Sequence, residues 1–114
     1  MIEKIVLNYL SSQLDVPCHM TRPENPPDKY VLIEKTGGSE DEEGGHIETS
    51  TFAFQSYAPT LLQAAELNDE VKAAAKSLIV LNEITKSAYQ TDYNFTNPAN
   101  KQPRYQAVFD ITHY

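Results

Sequence analysis

The chain has 114 residues, 40% hydrophobic and 22% charged, which is the length of one domain (1–114) and the composition of an ordinary globular protein rather than a disordered one. Sixteen acidic against nine basic residues leave a net charge of −7; such a surface repels phosphate and anionic lipid, so general attraction to nucleic acid or to a membrane surface is excluded. The single cysteine, Cys18, has no partner for an internal disulfide, the N-terminal segment is broken by Glu3, Lys4 and Asn8 and lacks a signal-peptide core, and no run approaches the ~18 apolar residues of a membrane span.

The first predicted helix runs from Ile2 to Leu14, where Ile2, Ile5, Val6, Tyr9 and Leu10 recur at three- and four-residue steps. Asp15 and Pro17 close it. Val16 to Met20 reads as a short strand, and Arg22 to Asp28, with three prolines, as a stiff loop. Lys29 to Thr36 reads as a strand. Its continuous run Tyr30-Val31-Leu32-Ile33 suits a strand covered on both faces.

Thr49 to Tyr57 is the predicted partner strand, with Phe52 and Phe54 on one face and Ala53 and Tyr57 on the other. The second helix carries the strongest signal. Pro59 suits a first helical position, and Leu61, Ala64, Ala65, Leu67, Val71, Ala74, Ala75, Leu78 and Ile79 follow helical spacing. Ile84 to Tyr93 reads as a third strand, Asn94 to Pro103 as a loop, and Arg104 to His113 as a last, alternating strand. The order helix, strand pair, helix, strand pair predicts an α+β two-layer sandwich. It has a mainly antiparallel sheet of about four strands and two helices on one face.

Catalytic and metal signatures are weak. Cys18 and His19 are neighbours on a strand and so point to opposite faces, which opposes a shared metal ion. Asp110 and His113, three apart on a strand, also face opposite sides and make a poor base and orienter for Cys18. No nucleophile elbow, phosphate loop or dinucleotide fingerprint occurs. The reading is a non-enzyme with no cofactor and no metal.

All four glycines, Gly37, Gly38, Gly44 and Gly45, flank Ser39, Glu40, Asp41, Glu42 and Glu43. Read as one hairpin loop from Gly37 to Gly45, this segment is longer than a hairpin needs. Its acids lack the alternating spacing of a calcium loop. It is a solvated tip, a segment that orders on a partner, or the lining of an acidic passage.

Several phrases together resemble a family. They are Pro23 to Gly38 (PENPPDKYVLIEKTGG), Phe54 to Ala58 (FQSYA), Ala64 to Asn68 (AAELN) and Arg104 to Thr112 (RYQAVFDIT). The chain resembles the small tail-completion, or tail-terminator, proteins of long-tailed phages and of prophages of Gram-positive bacteria. The resemblance covers nearly the whole chain.

It implies a virion structural protein, assembled in the host bacterial cytoplasm, that forms a homo-hexameric ring on the tail. Its partners are then itself, the tail-tube protein and the head-connector protein, with no sequence-specific nucleic acid binding. The expected ring or partner interface is Gly37, Gly38, Glu40, Asp41, Glu42, Glu43, Gly44 and Gly45, facing the lumen or an adjoining ring. The alternative is a small acidic binding module or inhibitor that engages a basic partner through the 37–45 loop.

Overall fold

The N-terminal apolar stripe forms a helix. In a computed structural model, which describes residues 1–40 and 47–114, α1 spans Ile2–Gln13 and buries Ile2, Val6 and Leu10. It ends where Leu14 turns extended, with its N–H still bonded to the Leu10 carbonyl at 3.0 Å. A two-residue strand β1 (Cys18–His19) follows, then β2 (Tyr30–Glu40), β3 (Glu48–Tyr57), helix α2 (Leu61–Lys76), a 3₁₀ turn (Ser77–Val80), β4 (Ile84–Asn94) and β5 (Arg104–His113).

The class is α+β, as expected, but the sheet is mixed and has five strands in the order β1-β2-β3-β5-β4. The β2–β3, β3–β5 and β4–β5 pairs are antiparallel, while β1 runs parallel to β2 through Cys18↔Val31 and His19↔Leu32. The extra strand arises because the chain leaving α1 lies along β2, where the Pro17 carbonyl accepts the Val31 N–H at 2.9 Å. The short strand read at Val16 to Met20 is present as Cys18–His19, and its parallel place in the sheet is what the local sequence does not carry.

One core lies between the helices and the sheet. Val6 and Leu10 of α1 and Leu67, Val71 and Ala75 of α2 meet Val31, Ile33, Phe52, Phe54, Phe109 and Ile111 of the sheet. Because both helices pack on the same side, the other sheet face carries no helix. Tyr30, Leu32 and Tyr57 form a second, small cluster there, with the two tyrosine rings stacked at 4.5 Å. The apolar run in β2 is thus buried on both faces, as its composition predicts.

Two details of α2 differ from expectation. Thr60, not Pro59, sets its start: the Thr60 hydroxyl accepts the Gln63 N–H at 3.2 Å. A threonine oxygen satisfies an orphan N–H that proline cannot, which is worth about 1 kcal/mol. At the other end the chain tightens into the 3₁₀ turn, so Leu78 stays buried while Ile79 is exposed. Ser77 makes the junction. Its hydroxyl donates to the Ala74 carbonyl (2.8 Å) and accepts from the Tyr9 hydroxyl (2.7 Å), tying α1 to the end of α2.

Candidate functional site

The predicted loop begins later than the sequence implies. Gly37, Gly38, Ser39 and Glu40 are not loop residues. They continue β2, pairing with Thr51, Ser50, Thr49 and Glu48 after a bulge between Lys35 and Gly37. The physical reason is the ladder itself: β3 runs on to Glu48, held on its other side by β5, and offers β2 backbone partners beyond Thr36. Asp41, Glu42, Glu43, Gly44 and Gly45 lie outside the described residues.

Neither Gly37 nor Gly38 occupies the left-handed region, and a Cβ on Gly37 meets nothing within 4 Å. The isolated chain therefore does not require glycine at 37, and glycine in a strand costs about 0.5–1 kcal/mol. Gly37→Ala should raise the urea midpoint by an equivalent amount. A lower midpoint would show that the bulge needs glycine.

Beyond Ile33, β2 leaves the core. Residues Glu34 to Ser39 are all exposed. β1 covers only Val31 and Leu32, so the outer edge of β2 from Ile33 onward is unpaired among the described residues. An eleven-residue strand spans about 36 Å at ~3.3 Å per residue, comparable with the long dimension of the 45 × 26 × 24 Å body.

The helix-free face carries a directed chain of hydrogen bonds that periodicity could not reveal. Arg104 donates to the Tyr57 hydroxyl (2.8 Å), Tyr57 to Gln55 Oε1 (3.4 Å), Gln55 to Gln106 Oε1 (2.9 Å), and Gln106 to the Tyr93 hydroxyl (2.6 Å). The chain crosses β3, β5 and β4, so each bond polarises the next. The Arg104 guanidinium also stacks on Phe95 at 4.3 Å. Lower on this face Asp110 accepts from Thr51 (2.7 Å) and Gln90 (2.8 Å).

A second cluster joins α2 to the edge strand β4. Asp92 accepts from Asn68 (2.8 Å), Lys72 (3.0 Å) and Tyr89. Burial pushes the Asp92 carboxyl up, but the three donors outweigh it and hold it below the ordinary 3.8. The bond to Asp92 raises Lys72 above its usual range and does the same to Tyr89. The sequence carries one signal of this site: Asn68 and Lys72 sit four apart, on one helix face.

The residues weighed for catalysis are dispersed. His113 is buried on the helix side, where its Nδ1 donates to the Tyr114 carbonyl oxygen (3.1 Å) and its Nε2 shares a hydrogen bond with the Ser50 hydroxyl (2.8 Å). Asp110 is on the opposite face. Cys18 is half-buried against the core, and burial raises its thiol, partly offset by Ser11. His19 follows it on the two-residue strand β1. Among the described residues no group of three or more His, Cys, Asp and Glu could hold a metal ion, and no helix is long and apolar enough to cross a membrane. An open groove of about 460 Å³ beside α2 is lined by Asp15, Glu66, Asp69 and Glu70 against Lys29, an arrangement that disfavours anions.

No protein-family model matches this chain, and no curated protein matches it with significant similarity.

Proposed function

We propose that the chain is a virion structural protein of the phage tail–head junction, a ring subunit that terminates the tail tube and meets the head connector. The resemblance over nearly the whole chain motivates this reading. The observation that carries it in the fold is the β2 arm, exposed from Glu34 to Ser39 with its outer edge unpaired. A subunit that joins copies of itself through sheet edges uses an arm of this kind. A chain with no such role gains nothing from a long bare edge, which invites aggregation.

Glu40 ends β2, and Asp41, Glu42 and Glu43 follow it in the sequence. In a ring of six, they place roughly 24 carboxylates around one axis, a field that keeps DNA phosphate off the wall. The contribution of this protein is then shape and charge, with no bond made or broken.

The test is addition of purified protein to tail tubes assembled without it. Capped ends of uniform length, with an end ring visible by electron microscopy, are expected. Tubes that grow equally with and without the protein overturn the reading. A monomer that instead captures a basic protein, with affinity falling steeply in salt, replaces it with the acidic binding module. An assembled ring with Glu40 on its outer wall, away from every partner, removes the lumen role of the acids.

A further inference from the structure

We infer that Arg22 and Arg104, set beside the stacked Tyr30–Tyr57 pair on the helix-free face, form a receptor for a carboxylate. Its ligand is an acidic side chain or C-terminus of a partner protein, or a free organic acid. Such a site stands independently of the ring reading.

Three segments meet there. Tyr30 opens β2 and pairs in register with Tyr57 at the end of β3, so the two lie at the end of that ladder farthest from Glu40 and Glu48. The connection from β1, stiffened by Pro23, Pro26 and Pro27, carries Arg22. Arg22 Nη2 donates to Gln102 Oε1, in the connection from β4, at 3.4 Å. Arg104 opens β5, and its Nη1 donates to the Tyr57 hydroxyl and its Nε to the Phe95 carbonyl, both at 2.8 Å.

These are the two arginines of the chain. In a protein with sixteen acidic residues, neither has an ion-pair partner among the described residues. Glu24 and Asp28 share the Arg22 connection, yet neither pairs with it. Among the described residues nothing accepts from Arg104 Nη2. Its guanidinium is already fixed on the Phe95 ring at 4.3 Å, so little order is lost when a ligand arrives.

The Tyr30 hydroxyl points to that ligand. Tyr30 is fully buried, and its hydroxyl has no hydrogen-bond partner among the described residues. A buried hydroxyl left unpaired costs free energy that an accepting ligand removes. Burial, and then the neighbouring Tyr57, raise the Tyr30 pKa against the opposing effect of Arg22, so its proton stays available for donation. Donors thus gather around one stacked pair with no carboxylate among them. The planar N–H fork of arginine matches the two oxygens of a carboxylate. The net charge of −7 weighs against a more highly charged anion such as a phosphate monoester.

The experiment is an NMR titration of the full chain at constant ionic strength, followed at the Arg22 and Arg104 Nε–H and the Tyr57 amide. The probes are acetate and an end-blocked tripeptide with one central glutamate. Acetamide and the glutamine counterpart of the peptide are their neutral controls. Both carboxylates should give saturable shifts that the controls do not. Peptide binding at least about tenfold tighter than acetate assigns the carboxylate to a partner protein, and comparable binding assigns it to a free acid.

Arg22 is exposed and held by one long bond, so Arg22→Gln should leave the urea midpoint unchanged while weakening binding about tenfold or more. No saturable shift with either carboxylate, an equal response to acetamide, or wild-type affinity in Arg22→Gln overturns the receptor. Each of these outcomes leaves the ring reading to the tail-end assay.

Discussion

Phe54→Ala should lower the unfolding free energy by about 3–5 kcal/mol, the largest loss expected from a single truncation in this protein. Phe54 is fully buried on the central strand β3, with Phe52 6.0 Å away on the same strand and Phe109 of β5 edge-on at 5.8 Å. Removing the ring deletes its transfer free energy and leaves a cavity between two strands and the helices, which backbone ladders on both sides prevent from collapsing. For a domain of this size the loss corresponds to roughly 15 °C or more in Tm. Urea unfolding at 25 °C measures it, with Tyr114→Ala as control. Tyr114 is 69% exposed, and its truncation should move stability by less than about 0.5 kcal/mol. A Phe54→Ala loss under 1 kcal/mol would mean that the core repacks around the missing ring, contrary to this structure.

Asp92→Asn should cost about 1–2 kcal/mol at pH 7, and the cost should disappear in acid. The carboxyl is held below its ordinary pKa by Tyr89, Lys72 and Asn68 against the opposing effect of burial. A carboxyl whose folded pKa lies below its unfolded value adds stability that is complete above the unfolded value. That stability is lost as pH falls through the folded one. The wild-type and variant curves should therefore stay parallel from neutral pH down to about pH 5 and converge as pH falls through the folded pKa, which lies below 3.8.

Lys72 has the opposite sign. Its raised pKa makes its contribution complete below the ordinary lysine range and lost only in strong alkali. Unfolding free energies at pH 7 and pH 3 decide the matter. A gap that persists unchanged at pH 3 would assign the loss to shape rather than charge.

The elements that could be read from the sequence are those with length and a clean period. The alternation of Tyr105, Ala107, Phe109 and Ile111 predicts a strand from Arg104 to His113, and β5 has those bounds. The helical spacing from Ala64 to Leu78 likewise predicts the buried stripe of α2. The stretch from Gly37 to Glu40 misled because glycine and acids are local signals of a turn. Strand pairing is a non-local gain, and here it outweighs them. The Asp92 cluster and the polar chain from Arg104 to Tyr93 were invisible for a related reason. Their members lie up to 51 residues apart, the separation of Gln55 and Gln106, and meet only through the fold.

The acidic segment from Gly37 to Gly45 illustrates the division. Its charge and its glycines are properties of the sequence, as are the α+β class, the two helices and the net negative charge. Composition and periodicity act residue by residue, so they determine these without a fold. Only the tertiary structure decided that Gly37, Gly38 and Glu40 belong to a strand, that β1 adds a parallel fifth member, and that Asn68 and Lys72 of α2 meet Asp92 of β4. Each of these depends on which strand lies beside which, a choice made by burying Phe52, Phe54 and Phe109 together under two helices.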